Sequence, residues 1–118
     1  MRRNFVFSDG KKKIFLNIRV CNPLQKVVGL MFSRKENAEA LLFGFNEFSR
    51  RGIHSCFVFF PFYAVWLDDK NKIIEVRRVR PFTLLVRPKE KFFSLLEVPC
   101  NNKYSQITHF LDDIERFK

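Results

Sequence analysis

From Cys56 to Leu67 the chain reads CFVFFPFYAVWL, with no charged residue and with Pro61 in its middle. These twelve residues fall well short of the ~20 apolar residues that a membrane-spanning helix requires. The run therefore reads as the middle of a core. Extended back to His54, the segment HSCFVFF shows no alternation: Cys56, Val58 and Phe60 would face one way and Phe57 and Phe59 the other. A strand apolar on both faces is central and covered on both sides, and that is the expectation for His54 to Phe60.

The rest of the chain is divided in the same way into short runs. Asn4 to Phe7, then Ser8-Asp9-Gly10, then Lys13 to Val20 predict a hairpin. In its second arm Ile14, Leu16, Ile18 and Val20 alternate with Lys13, Phe15, Asn17 and Arg19, and Asp-Gly suits a tight turn because glycine accepts positive φ. Asn22-Pro23 is a helix start, with Asn capping and Pro at the first helical position. Leu24, Val28 and Met31 then share one face of a helix of one or two turns ending near Gly29. Ala40–Phe45, Tyr63–Leu67, Ile73–Val79, Phe82–Arg87 and Phe92–Val98 read as further strands, separated by Arg51-Gly52, Pro61, Asp69-Lys70-Asn71, Pro81 and Pro88. Near the end, Ile107, Phe110, Leu111, Ile114 and Phe117 also fit a helical stripe. Many short strands with one or two short helices predict a mainly β chain, a β-sandwich or barrel-like fold.

A length of 118 residues suits a single domain spanning 1–118, because a chain this size hides roughly two-thirds of its unfolded surface on folding. Sixteen phenylalanines make that core aromatic; each contributes about 1.5–3 kcal/mol when fully buried, against a backbone ordering cost of about 1–2 kcal/mol per residue. Three cysteines, Cys21, Cys56 and Cys100, stand far apart with no CxxC spacing. That pattern excludes a disulfide framework and a zinc ribbon, so they read as small buried hydrophobes. The start, MRRNFVFSDGKKK, lacks the apolar centre of a signal peptide, and the expected address is cytoplasmic.

The order of motifs resembles a known family, the small prokaryotic domain of unknown function 192, from about Ile14 to near the C-terminus. The carriers are GLMFSR (Gly29 to Arg34), LLFGF (Leu41 to Phe45), IHSCFVFFP (Ile53 to Pro61), VWLDDKNKIIEV (Val65 to Val76) and LLEVP (Leu95 to Pro99). The His54-Ser55 pair resembles the archaeal branch, where other members carry Trp-Met. The resemblance implies a compact β-sandwich or jelly-roll-like domain with one short helix, and implies no reaction. Two positions depart from it. Tyr63 stands where members carry Asp, and Asn101 where they carry the glycine after the L-E-L-P motif, a position at which Asn can adopt left-handed backbone. The resemblance also implies a closing turn at Asp112-Asp113 and a strand from Ile114 to Phe117, against the helical stripe above.

Catalysis finds little support. His54 and Cys56 share a strand face, yet zinc requires three or four convergent ligands, so neither a metal nor a cofactor is expected. Ser55 and His54 lie on opposite faces and cannot pair, while an apolar strand raises the pKa of Cys56 and deactivates it, leaving no catalytic residue to name. Asp68-Asp69 and Asp112-Asp113 sit where Asp bonds its own backbone in turns. Arg34, closing GLMFSR, can clamp a carboxylate or phosphate bidentately, or pair with Glu36, Glu47 or a carbonyl. With His54 and Ser55 it marks the expected pocket rim of a non-catalytic binding or accessory module, a monomer or weak dimer whose partner is a small ligand or a protein. The formal charge of +10, from 22 Lys plus Arg against 12 Asp plus Glu, attracts polyanions. The alternative is therefore weak RNA or single-stranded nucleic-acid binding by Arg50, Arg51, Arg77, Arg78, Arg80 and Arg87. In VRRVRPF (Val76 to Phe82) the rings stand at strand-core spacing, which favours packing over base stacking.

Overall fold

In a computed structural model, the structure describes residues 2–21, 34–49, 58–83 and 86–116, with side chains of 45–49 left aside. Among the described residues six strands form one sheet: β1 (Arg2–Ser8), β2 (Lys13–Cys21), β3 (Leu41–Ser49), β4 (Phe62–Leu67), β5 (Ile73–Val79) and β6 (Phe92–Pro99). A 3₁₀ turn (Asn102–Tyr104) leads into the helix α1 (Ser105–Arg116). The strand order is β1-β2-β3-β6-β4-β5, and all neighbours run antiparallel except β2 and β3. The chain is thus mainly β, as expected, and barrel-like: Ser8 N–H donates to the Asn71 carbonyl at 3.0 Å, bringing the end of β1 against the start of β5.

The sheet is apolar on both faces. One face gathers Phe5, Phe7, Ile14, Leu16, Ile18, Val65, Leu67, Leu96 and Val98, with Leu111 of α1 packed among them. The other gathers Leu41, Phe43, Phe62, Ala64, Trp66, Val79 and Leu95 under the loop residues Ala38, Val58, Phe60 and Val86. Because β4 and β6 send residues into both clusters, every residue of β4 is buried, and so is almost every residue of β6.

Local chemistry explains the turns. Asp9 Oδ1 accepts from the Lys11 and Lys12 amides at 2.8 Å, and Gly10 takes φ +99° between them, as the predicted hairpin requires. Asp68 Oδ1 accepts from the Lys70 and Lys72 amides, with Asn71 at φ +63° closing the loop between β4 and β5, a conformation Asn tolerates better than most residues.

Three expectations are corrected. Of the expected doubly covered strand 54–60 only 58–60 are described, and they join no strand: Val58 and Phe60 are buried but Phe59 is 62% exposed. The doubly covered strands are β4 and β6, whose two faces join the two apolar clusters. Of the expected strand Phe82–Arg87, the described residues 82, 83, 86 and 87 form no strand either, Val86 making only an isolated bridge. Pro81 cannot donate to a ladder, and Phe82 takes φ +60°, the position that a type II turn reserves for glycine, while Thr83 Oγ1 donates to the Arg80 carbonyl at 2.8 Å. Finally, Asp112-Asp113 are not a turn. The helical stripe wins, with Ile107, Phe110, Leu111 and Ile114 on the core side of α1 and Lys12 Nζ 5.2 Å from the Phe110 ring centroid. A 3.6-residue period buries that stripe in one direction, which a strand of the same residues would not. The short helix expected after Asn22-Pro23 lies outside the described residues, as does Phe117.

Candidate functional site

Where β6 ends, the ends of three motifs converge. Cys100 N–H donates to the Pro61 carbonyl at 3.1 Å, tying the end of LLEVP to the end of IHSCFVFFP. One residue on, Asn101 Nδ2 donates to the carbonyls of Lys35 (2.7 Å) and Ala38 (3.0 Å), which holds the turn that follows GLMFSR. That turn is closed by the Asn37 amide donating to the Arg34 carbonyl at 3.1 Å. Asn101 also accepts from the Lys103 amide at 3.1 Å and so caps the 3₁₀ turn. Its φ is −139°, extended backbone, so the left-handed conformation anticipated from the glycine it replaces is not used. The side chain acts instead, by bridging the 34–38 loop and a helix start, which glycine could not do. We expect Asn101→Ala to lower stability by about 1–2 kcal/mol, the range for a lost cap together with a part-buried hydrogen bond, and Asn101→Gly to cost at least as much; chemical denaturation of the two variants checks this.

Around this junction lie the exposed side chains of Arg34, Lys35, Arg78 and Arg80. The Arg78 guanidinium sits against the Cys100 thiol; burial pushes that thiol up from its ordinary pKa, and Arg78 and Lys35 partly offset the push. On the helix side, Tyr63 takes the place at which the resemblance expects an acid, and its hydroxyl donates to Asp112 Oδ1 at 2.8 Å. Burial, and then the Asp112 carboxylate, hold the phenol above its usual range. Asp112 is also engaged by Arg116 at 2.9 Å, and Glu115 accepts from the Arg78 amide. Just beyond the Phe62–Val79 pair that ends the β4–β5 ribbon, Phe59 and Phe82 meet edge to face, ring centroids 5.2 Å apart and interplanar angle 80°.

Of the residues singled out from sequence, Arg34 stands exposed at this rim, with no side-chain hydrogen bond or ion pair among the described residues. His54, Ser55, Arg50 and Arg51 lie outside the described residues, as does Cys56. Arg77 and Arg78 alternate to opposite faces of β5: Arg77 pairs with Glu75 at 2.7 Å, while Arg78 turns toward Cys100 and α1. Arg80 and Arg87 are exposed. Among the described residues no group of three or more His, Cys, Asp or Glu is placed to hold a metal, and no helix is long and apolar enough to cross a membrane. A separate cleft of about 430 Å³ opens between Phe15, Leu16 and Asn17 of β2 and Lys103, Tyr104 and Ile107, with Glu39 at its edge.

The sequence reading passed over Glu97. It lies in β6 between Leu41 and Ala64, with 6% exposure, and burial pushes its carboxyl up to about 8. Glu75 is equally buried but accepts from Arg77 and from the Lys89 amide at 2.8 Å; Glu97 has no such partner among the described residues. Trp66, diagonal to it on β4, buries its indole Nε1 without a partner among the described residues. The available signal was an acid inside the otherwise apolar run LLEVP, since a polar residue at an interior strand position is more informative than any exposed one.

Two solved structures share the fold. A "putative transcription regulator" from Sinorhizobium meliloti 1021 superposes with a TM-score of 0.73 at 16% identity, covering 91% of this chain and 84% of that one. A protein of unknown function from Novosphingobium aromaticivorans gives 0.71 at 10% identity, with 91% and 79% covered. No curated protein matches in sequence. The family model of domain of unknown function 192 (DUF192), described as Uncharacterized ACR, matches residues 5–103.

Proposed function

This chain belongs to domain of unknown function 192, and from that premise we propose that it is a single-domain, non-catalytic binding module whose binding face is the rim at the end of β6. The observation that carries the reading is the convergence there of motif ends distant in sequence: Arg34 and Lys35, Pro61, and Cys100-Asn101, joined by the hydrogen bonds of Asn101 and Cys100. Loops positioned by a rigid sheet are where binding residues concentrate. The groups on offer suit recognition better than turnover. Exposed Arg and Lys side chains clamp anions, whereas burial raises the pKa of the Cys100 thiol, and of the acids nearby Asp112 is already engaged by Tyr63 and Arg116 and Glu115 by the Arg78 amide. Arg34 with His54 and Ser55 remains the proposed pocket edge. Widely spaced cysteines support a cytoplasmic address, and the His54-Ser55 pair supports an archaeal-type member.

Amide chemical-shift mapping during a screen of small anionic and neutral ligands tests the reading. Hits are expected to move the resonances of 34–38, 59–61, 78–82 and 100–101, and Arg34→Ala is expected to weaken them several-fold. Hits that instead cluster on the Phe15–Tyr104 cleft, or are indifferent to Arg34→Ala, would place the binding face elsewhere.

A further inference from the structure

Resting on that binding face, we propose that the rim takes single-stranded nucleic acid, with Phe59 and Phe82 stacking on bases while Arg34, Lys35, Arg78 and Arg80 contact phosphates. The first observation is exposure. Core spacing had predicted buried rings, yet Phe59 is 62% and Phe82 53% exposed, and in an edge-to-face pair each ring keeps a face open to a flat partner. The second observation gives the cause of the first at Phe82. Phe82 holds φ +60°, a backbone conformation that is an outlier for a bulky side chain. Such strain persists where surrounding structure enforces it, and it clusters at binding sites. Here the enforcing elements are Pro81 and the Thr83–Arg80 hydrogen bond, and the result is an aromatic ring directed outward.

Charge then selects the partner. The cations of the rim are exposed. Of the acids beside them, Asp112 is engaged by Tyr63 and Arg116 and Glu115 by the Arg78 amide, while Glu36 stands exposed in the turn of Arg34 and Lys35. Across the whole chain the surplus is +10. A partner with regular negative charge and flat π faces satisfies both halves of this surface at once, and base stacking on exposed rings along a positive track is how single strands are held without sequence preference. Duplex nucleic acid offers the charge but keeps its bases stacked inside.

The test compares two fluorescein-labelled strands of about 12 nucleotides, within the span of one small binding domain. One is an oligothymidylate and the other an abasic strand with the same phosphates and no bases. At low salt the oligothymidylate is expected to bind roughly ten-fold more tightly, the effect of about one stacked base. Its affinity should fall with salt at a log–log slope of about −2 to −3, for four phosphate contacts. The double variant Phe59→Ser with Phe82→Gly should bring it to the abasic level; glycine is at home at φ +60°, so this variant keeps the turn, and its thermal unfolding confirms that it folds. Arg34→Gln with Arg80→Gln should weaken both strands alike and flatten the salt slope. Equal binding of the two strands would overturn the stacking role, and no binding at low salt would overturn the inference outright while leaving the ligand screen to judge the rim. Binding that shifts amides away from the rim would sink the inference and the binding face together.

Discussion

Between pH about 5 and pH about 8 this domain is expected to lose stability on the order of 3–5 kcal/mol, and Glu97→Gln is expected to abolish most of that loss. The origin is burial. Glu97 sits on the interior strand β6, flanked by Leu41 on β3 and Ala64 on β4, and its carboxyl is pushed up from 4.5 to about 8 with desolvation as the cause. Between those two values the native state holds a proton that the unfolded chain has released, so stability falls as pH rises and levels off above the native pKa. At about 1.4 kcal/mol for each unit of displacement, the window spans a large share of the 5–15 kcal/mol typical of a whole domain. Glutamine keeps the shape and cannot ionise, which isolates this group from every other titration in the chain. Urea unfolding at a series of pH values measures it; a flat wild-type profile, or an equal slope in Glu97→Gln, would mean that the carboxyl is paired or hydrated after all.

Trp66→Ala should cost about 3–5 kcal/mol, the range for removing a large buried aromatic, whereas Trp66→Phe should cost less than about 2 kcal/mol. Trp66 is fully buried and packs edge to face on Phe92 with ring centroids 6.5 Å apart. Phenylalanine keeps that contact. It also removes an indole N–H that has no hydrogen-bond partner among the described residues, so the usual penalty for deleting a polar handle does not arise. Denaturant midpoints at constant slope read both variants. Should Trp66→Phe prove as costly as Trp66→Ala, the N–H must be donating to something, and the neighbouring Glu97 would be the first acceptor to examine by combining the two substitutions.

Both predictions concern one face of the sheet, and they show where the sequence could be read and where it could not. The hairpin at Asp9-Gly10, the Asp68 loop and the strands 63–67, 73–79 and 92–98 were legible because each depends on a few adjacent residues: a side-chain oxygen reaching its own backbone, a residue that tolerates positive φ, a period of two. Arg34 was legible as a motif end, and the family by the order of five motifs. Glu97 was not, because LLEVP looks the same whether its acid faces water or lies between two neighbouring strands. Likewise, nothing in HSCFVFFP or VRRVRPF says that Phe59 and Phe82 lie outside while Val58 and Phe60 lie inside. That outcome follows from Pro81 ending the ladder and from which strands flank β4.

By itself, then, the sequence determined the strand-rich class, the local turns, the family and the surplus of positive charge, since all of these rest on composition or on interactions within a few residues. Only the tertiary structure decided the parallel pairing of β2 with β3, the place of β6 between β3 and β4, the helix at 105–116, the isolation of Glu97 and the meeting of three motif ends at one rim. Those features depend on contacts between residues tens of positions apart, and burial at any one position is a property of everything that closes over it.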